Sequence, residues 1–334
     1  MTDRRLTYAA AFTEAIRIEM ELDETVFVAG EDVGAFGGVF NTFNGLQAQF
    51  GERRAVDTPI SEQAIIGLGI GAAITGLRPI VDLMFMDFTM VAADQIVNQA
   101  AKLKYMFGGT ATMPLTITTS GGAGLSAAAQ HSQSLEAPFC HIPGLKVVFP
   151  SNAYDVKGLM ASCIRDDSPT MMVLHKRMLG VKAVVPEGRY TIPLGLANVT
   201  RQGTDVTLVS YGRMAAECLV AADEMANEGV SVEVVDLRTL SPLDIDTVIA
   251  SVAKTHRAIV VHEAVRFGGF GAEIAAQIGE LAFDHLDAPV GRVAAPFSPV
   301  PFSPALESLY VPDANRIAEG VRAAVARPGA VSAR

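Results

Sequence analysis

Apolar and polar positions change period repeatedly along the chain, and each change marks an element. Thr7 to Leu22 places Tyr8, Ala11, Phe12, Ala15 and Ile16 at helical spacing, which predicts an amphipathic helix. Thr25 to Ala29 is a short apolar run and reads as a buried strand. It opens into two glycine-punctuated stretches, Gly30-Glu31-Asp32-Val33-Gly34 and Phe36-Gly37-Gly38-Val39-Phe40, followed by a short helix over Asn44 to Phe50. Strands at Arg78 to Phe85, Pro114 to Thr119, Lys146 to Phe149 and Thr170 to Leu174 alternate with helices at Phe88 to Tyr105 and Tyr154 to Asp166. Such alternation predicts an α/β fold with a mostly parallel sheet wrapped by helices.

The pattern breaks at Pro186 to Pro193 and then restarts. Strands are expected at Val206 to Ser210, Val230 to Asp236, Ala258 to His262 and Val290 to Val293. Helices are expected at Met214 to Glu228, Asp244 to Thr255, Gly271 to Phe283 and Val311 to Ala326. Two doubly wound domains are therefore expected, residues 1–190 and a smaller one at 191–334, in keeping with the length of 334 residues. The stiff PFSPVPFSP segment, Pro296 to Pro304, is expected to lie along a surface or an interface.

One stretch, Asp57 to Gly76, combines a polar turn with a helix of very small residues. Thr58 or Ser61 can cap the helix start, and Pro59 suits the turn. Gly67, Gly69, Gly71, Ala72 and Ala73 allow a backbone or a flat ligand to approach closely. Glu62 stands where turn meets helix. A carboxyl among apolar neighbours holds its proton more tightly, which makes Glu62 a candidate donor to a heterocycle; the alternative is an acid that stabilises a helix N-terminus.

Composition narrows the function classes. The formal charge of −10 and the lack of Lys/Arg clusters argue against nucleic acid or an anionic membrane as partner. Cys140, Cys163 and Cys218 show no metal-ligand spacing and read as reduced core thiols, consistent with a cytoplasmic protein. The first twenty residues resemble a capped helix more than a signal peptide, and no run reaches the ~20 apolar residues of a membrane span. Mean hydropathy is +0.31, so much apolar surface is expected to be covered by other subunits.

Chemistry-bearing motifs are few. Gly67-x-Gly69-x-x-Ala72 lies inside a helix, without the preceding strand that a dinucleotide fingerprint needs. His131, set among Gln130, Ser132 and Gln133 after the glycines at 121–124, is a candidate acid/base, against the alternative of a structural histidine. His262-Glu263 followed by Phe267-Gly268-Gly269-Phe270-Gly271 suggests a functional loop, a hinge or a subunit contact. Met84, Phe85, Met86 and Phe88 read, on spacing alone, as core.

Longer motifs carry more. GEDVG at Gly30, FGGVF at Phe36, DTPISE at Asp57, FMDF at Phe85, DQIVNQAAKLKYMFGG at Asp94 and AAQHSQSLEA at Ala128 stand in order with HIPGLKVVFPS at His141, VVDLRTLSPLD at Val234 and GGFGAE at Gly268. Over essentially its whole length the chain resembles the β subunit of the thiamine-diphosphate-dependent first component of 2-oxo acid dehydrogenase complexes, most closely the acetoin and pyruvate types. The resemblance implies a thiamine-diphosphate-binding, transketolase-like pyrimidine domain followed by a transketolase C-terminal-type domain. It assigns Glu62 to the pyrimidine ring nitrogen, Phe88 and Met84 to packing on that ring, and His131 to the approach of a lipoyl group. A structural potassium ion would take carbonyls of Leu115, Cys163 and Ile164 with Asp166 and Ser168; the last is usually Asn.

No GDG motif is present to bind the divalent metal of the diphosphate. The resemblance therefore implies a partner α subunit that holds Mg2+ and the diphosphate, in an assembly of two α and two β chains, with a lipoyl acyltransferase core as further partner. Implied substrates are a small 2-oxo acid or acetoin, with the thiazolium as electron sink and the acyl unit passed to lipoyl. Leu174 and Thr118 depart from the family, which more often has Glu and Arg there. Rival readings are a transketolase-like two-carbon transfer without a lipoyl partner, and a noncatalytic scaffold.

Overall fold

The computed structural model describes residues 4–326. Two compact units divide the chain: the first runs to Leu125 and resumes at Gln130–Leu194, and the second comprises Ser126–Ala129 and everything from Gly195.

In the first unit the elements are β1 (Arg5–Thr7), α1 (Tyr8–Leu22), β2 (Val26–Gly30), α2 (Leu46–Phe50), β3 (Ala55–Asp57), α3 (Glu62–Ile74), β4 (Arg78–Phe85), α4 (Ala101–Met106), β5 (Thr116–Gly121), α5 (Glu136–Cys140), β6 (Lys146–Val148), α6 (Ala153–Arg165), β7 (Thr170–His175) and β8 (Lys182–Val184). The central strands run β6, β7, β5, β4, β2, β3. Every neighbouring pair among them is parallel. Both faces of such a sheet are covered, so β5 and β7 are buried throughout, as their continuous apolar runs predict.

Tyr8, Phe12 and Ile16 of α1 and Val156, Leu159 and Met160 of α6 close one side of the core. Glu19 is fully buried beneath them and accepts from Arg165 and from Arg189 Nε at 2.7 Å. Left unpaired, such a carboxylate would be costly.

The second unit continues with β9 (Asn198–Arg201), β10 (Val206–Ser210), α7 (Arg213–Asn227), β11 (Val232–Asp236), β12 (Thr239–Ser241), α8 (Ile245–Thr255), β13 (Ala258–Val265), α9 (Gly271–Leu281), β14 (Gly291–Ala295), α10 (Pro304–Tyr310) and α11 (Ala314–Val325). Its sheet runs β14, β13, β10, β11, β9, with β9 antiparallel at the edge and the other pairs parallel.

Several expectations change. The single helix expected over Phe88 to Tyr105 is broken into a 3-10 turn at Met86–Met90, a wide π turn at Gln95–Ala100 and α4. The buried Thr89 hydroxyl donates to Met86 O at 2.5 Å and tightens the first turn, a bond that helical periodicity does not encode. Ser61 occupies the cap position of α3, but neither it nor Thr58 makes a side-chain cap bond. PFSPVPFSP ends by supplying the proline that opens α10, which was not expected. Cys163 and Cys218 are buried thiols, whereas Cys140 is only half-buried. Burial pushes the Cys163 thiol up to about 12, so it stays protonated.

Candidate active site

Parallel strands deliver their C-terminal ends to one edge. Gly30 of β2 is level with Asp57 of β3 and with Asp82 of β4. At that edge Asp57 Oδ1 accepts from Gly34 N at 2.6 Å and ties the first glycine loop to the turn before α3. A Cβ on Gly34 would fall 2.4 Å from Asp57 Oδ2, so a larger residue there would displace the Asp57 carboxylate.

Glu62, the first residue of α3, is half-buried. Among the described residues its carboxylate makes no hydrogen bond and no ion pair. Burial, aided by the charges of Asp32 and Glu62, holds neighbouring Glu31 above the usual carboxylate range. From Glu62, α3 runs back over the sheet, where Gly69 lets it settle: a Cβ there would meet Leu115 Cδ1 at 2.7 Å and Val81 Cγ1 at 2.9 Å.

At the end of β4 the ladder to β5 slips between Asp82 and Phe85. Asp82 accepts from Thr118 Oγ1 at 2.6 Å and from Met84 N at 3.0 Å, and Met84 adopts a left-handed backbone with φ 54°. Loss of water around it, opposed by those two hydrogen bonds, draws the Asp82 carboxyl up to about 6. This bulge aims side chains out of the sheet. Met86 is fully buried, but Met84, Phe85 and Phe88 remain half-exposed, so the core reading of this run holds for Met86 alone.

Phe85 is the hub of an aromatic group. Its ring meets Phe40 at 5.3 Å, Phe88 at 5.7 Å and His131 at 4.8 Å, each edge-on, and Phe88 meets His131 at 5.4 Å. Lys176, almost wholly buried, donates to His131 O and lies 5.2 Å from the Phe85 ring centre. Asp87 Oδ1 accepts from Gln133 Nε2 at 2.8 Å and from Gln133 N at 3.3 Å, which anchors the loop that presents His131. Phe88 and His131 are thus brought together, Met84 lies on the same bulge, and Glu62 stands on the same sheet edge.

Phe85, Asp87, Gln133 and Lys176 were given no site role from the sequence. The first two lie within FMDF and Gln133 within the HSQ run, so motif membership was the available signal. Lys176 follows the substituted Leu174, which simply fills the core of β7. Thr118, the other departure, is the partner of Asp82.

Of the oxygens expected around potassium, Leu115 O accepts from Thr170 N at 2.9 Å and Cys163 O from Asp166 N at 3.2 Å. Ile164 O accepts from Arg78 at 3.0 Å, the Asp166 carboxylate is paired with Lys146, and Ser168 Oγ accepts from Lys104 at 3.0 Å. Cationic side chains therefore already sit on three of these groups. No cluster of three or more His, Cys, Asp or Glu that could hold a metal occurs among the described residues.

The sequence matches two family profiles, "Transketolase, pyrimidine binding domain" over residues 4–182 and "Transketolase, C-terminal domain" over residues 195–317. It is 50% identical to the acetoin:2,6-dichlorophenolindophenol oxidoreductase subunit beta of Cupriavidus necator, across 96% of this chain and 97% of that protein. The chain belongs to the transketolase-like family of acetoin and pyruvate dehydrogenase β subunits. Within that β-subunit family it is also 46% identical to the pyruvate dehydrogenase E1 component subunit beta of Bacillus subtilis, across 95% of this chain and 98% of that one. A solved structure described as a split gene transketolase, inactive beta4 tetramer, shares the fold at TM-score 0.80 and 22% identity, covering 96% of this chain and 99% of its own. The expected α/β architecture of two transketolase-type domains is thereby established. No helix among the described residues is long and apolar enough to cross a membrane.

Proposed function

We propose that this chain is the β subunit of a thiamine-diphosphate-dependent dehydrogenase that acts on acetoin or a small 2-oxo acid and passes the acyl unit to a lipoyl group. The supporting observation is the unsatisfied, half-buried Glu62 carboxylate on the same sheet edge as the half-exposed Met84, Phe85 and Phe88. These groups suit an aminopyrimidine: a carboxyl for a ring nitrogen, and apolar side chains for a flat face. Bound there, thiamine diphosphate would supply the electron sink for cleavage next to a carbonyl.

Glu62 holds or shares a proton at the pyrimidine nitrogen. Met84 and Phe88 orient the ring and exclude water from it. His131, whose backbone Lys176 grips and whose loop Asp87 anchors, stands ready to move a proton at an incoming lipoyl sulfur. Domain division at 190, with the pyrimidine half in residues 1–190, is part of the same reading.

An α subunit would complete the site, holding Mg2+ and the diphosphate, with two copies of each chain and a lipoyl acyltransferase core. Exposed Ile60, Leu68, Tyr105 and Met106 on the first unit are apolar surface suited to such partners. A potassium ion at Leu115, Cys163, Ile164, Asp166 and Ser168 would have to displace Arg78, Lys146 and Lys104, and no step is derived through it.

The deciding experiment reconstitutes the chain with its α partner and offers acetoin, pyruvate and 2-oxoisovalerate, with an artificial electron acceptor or a lipoyl domain. Cofactor-dependent reduction of the acceptor with one of them is expected. Two-carbon transfer to an aldehyde in the absence of any lipoyl acceptor would replace this reading with the transketolase-like one.

A further inference from the structure

Two sequence motifs left unused by the site above, the RFGGFG loop after β13 and the PFSP segment after β14, meet in the second unit. Together with β14 and the start of α11 they line an open cavity of about 580 Å³, a volume suited to a small ligand. Three arginines, Arg266, Arg292 and Arg316, face it. Arg266 Nη1 donates to Arg292 O at 2.9 Å, and Arg292 Nη1 donates to Arg266 O at 3.3 Å. Arg316 donates through Nη2 to Ala294 O at 3.1 Å and through Nη1 to Tyr310 O at 3.4 Å.

Backbone carbonyls therefore fix the guanidinium groups while leaving other N–H donors of Arg266 and Arg292 without a partner. Among the described residues no carboxylate pairs with any of the three, although the chain as a whole carries a charge of −10. Their field is felt nearby: after burial itself, Arg292 and Arg266 are the charges that help to keep the His262 ring neutral, with its pKa lowered to about 4. The opposite wall is aromatic. Phe267 and Phe297 are each 76% exposed and meet edge-on with ring centres 5.4 Å apart.

We propose that this pocket binds a phosphorylated ring compound of the nucleotide class, with the phosphates on Arg266, Arg292 and Arg316 and the ring against Phe267 and Phe297. Guanidinium forks match phosphate oxygens in pairs, and ring faces stack on phenylalanine whatever the base. Three cations without counter-charge suit a polyphosphate better than a single carboxylate. Purely structural arginines would satisfy the carbonyls just as well, but would not call for two exposed phenylalanines beside them.

Equilibrium dialysis of ADP tests this on the full chain in the complex it forms, with thiamine diphosphate and magnesium supplied at one equivalent per cofactor site, so that this site is filled and no excess competes for the pocket. Saturable binding of ADP is expected, with adenosine failing to bind. Arg292→Gln should weaken ADP about tenfold or more, as loss of a charge-assisted contact does. Phe297→Ala should weaken ADP but leave inorganic pyrophosphate unchanged. Absence of ADP binding at millimolar concentration, or ADP binding equal in wild type and both variants, overturns the proposal. Failure of either variant to co-purify with its partner chain would hand the surface to a protein instead, which also overturns it. The test does not depend on which substrate the enzyme cleaves, so its failure leaves the proposed function standing.

Discussion

At the scale of single residues, Glu62 and Asp82 are opposites. Glu62 is a carboxylate with no hydrogen-bond or ion-pair partner among the described residues, whereas Asp82 is occupied by Thr118 and Met84. Glu62→Gln keeps the shape and removes the proton, so turnover of the reconstituted enzyme should fall by about 10²- to 10⁴-fold. Near-normal turnover would strip the residue of that role. Asp82 follows a different logic. Its pKa rises on folding from 3.8 to about 6, so the folded state binds the extra proton between those values. Stability from this group is fully present below pH 3.8 and is lost as pH rises through 6. Asp82→Asn, which never ionises, should therefore be more stable than wild type at pH 7.5 by about 1–3 kcal/mol and no more stable at pH 4. Urea titrations at the two pH values measure the difference, and equal midpoint shifts at both would refute it.

His131 was singled out in the sequence because a polar run after glycines and a long motif both marked it. Its neighbours were not. Phe85 and Lys176 reach it from β4 and from just beyond β7, Asp87 holds its loop through Gln133 from a 3-10 turn, and only the strand order places those ends side by side. Gln133→Ala should loosen the His131 loop by freeing Asp87. Acylation of a lipoyl domain should then drop more than turnover with an artificial acceptor; equal losses would point to a general structural role.

Among the elements, the buried strands and most helices were read well, whereas the short exposed strands and one broken helix were not. Buried parallel strands are near-continuous apolar runs, so β5, β7, β10 and β13 were each located to within a few residues. The break at Met86–Ala100 escaped because the 3-10 and π turns are only 5 and 6 residues long, too short to show a period different from that of an α-helix. β1 and β8 pair antiparallel between segments distant in the chain, Arg5 with Val184 at one end and Thr7 with Lys182 at the other, and each is too short and exposed to carry a pattern. Helix α3 supports a sharper test. Gly69 faces Leu115 and Val81, whereas a Cβ on Gly71 would meet nothing within 4 Å. Gly69→Val should cost about 1–3 kcal/mol of stability through overpacking. Gly71→Val should leave the melting of the isolated chain nearly unchanged but weaken assembly with an α partner, as sedimentation of the mixture would show. Unimpaired assembly would mean that the outer face of α3 is not a subunit contact.

For the molecule as a whole, two α/β units were legible from the proline-rich break and the restarted alternation, and their transketolase type only from the long motifs, whereas the ion-pair arrangement was not legible at all. Nothing in the residue order announces that Lys146, Arg78 and Lys104 occupy the oxygens around Asp166. The thermal midpoint in potassium chloride should exceed that in sodium chloride at equal ionic strength only if potassium can displace them; identical midpoints would remove the ion from the proposal.

The outward side of α3 has a consequence for how the cell must handle this polypeptide. Ala64, Leu68 and Gly71 face water on a helix whose other side is already seated on the sheet, and Ile60 and Tyr105 are more exposed still. Newly made chains that outnumber their mate would carry a sticky flank with no legitimate occupant. Balanced synthesis of the two gene products, or a chaperone that shields the surplus, becomes a condition for soluble yield, and expression of this gene alone should deliver aggregates that co-expression prevents.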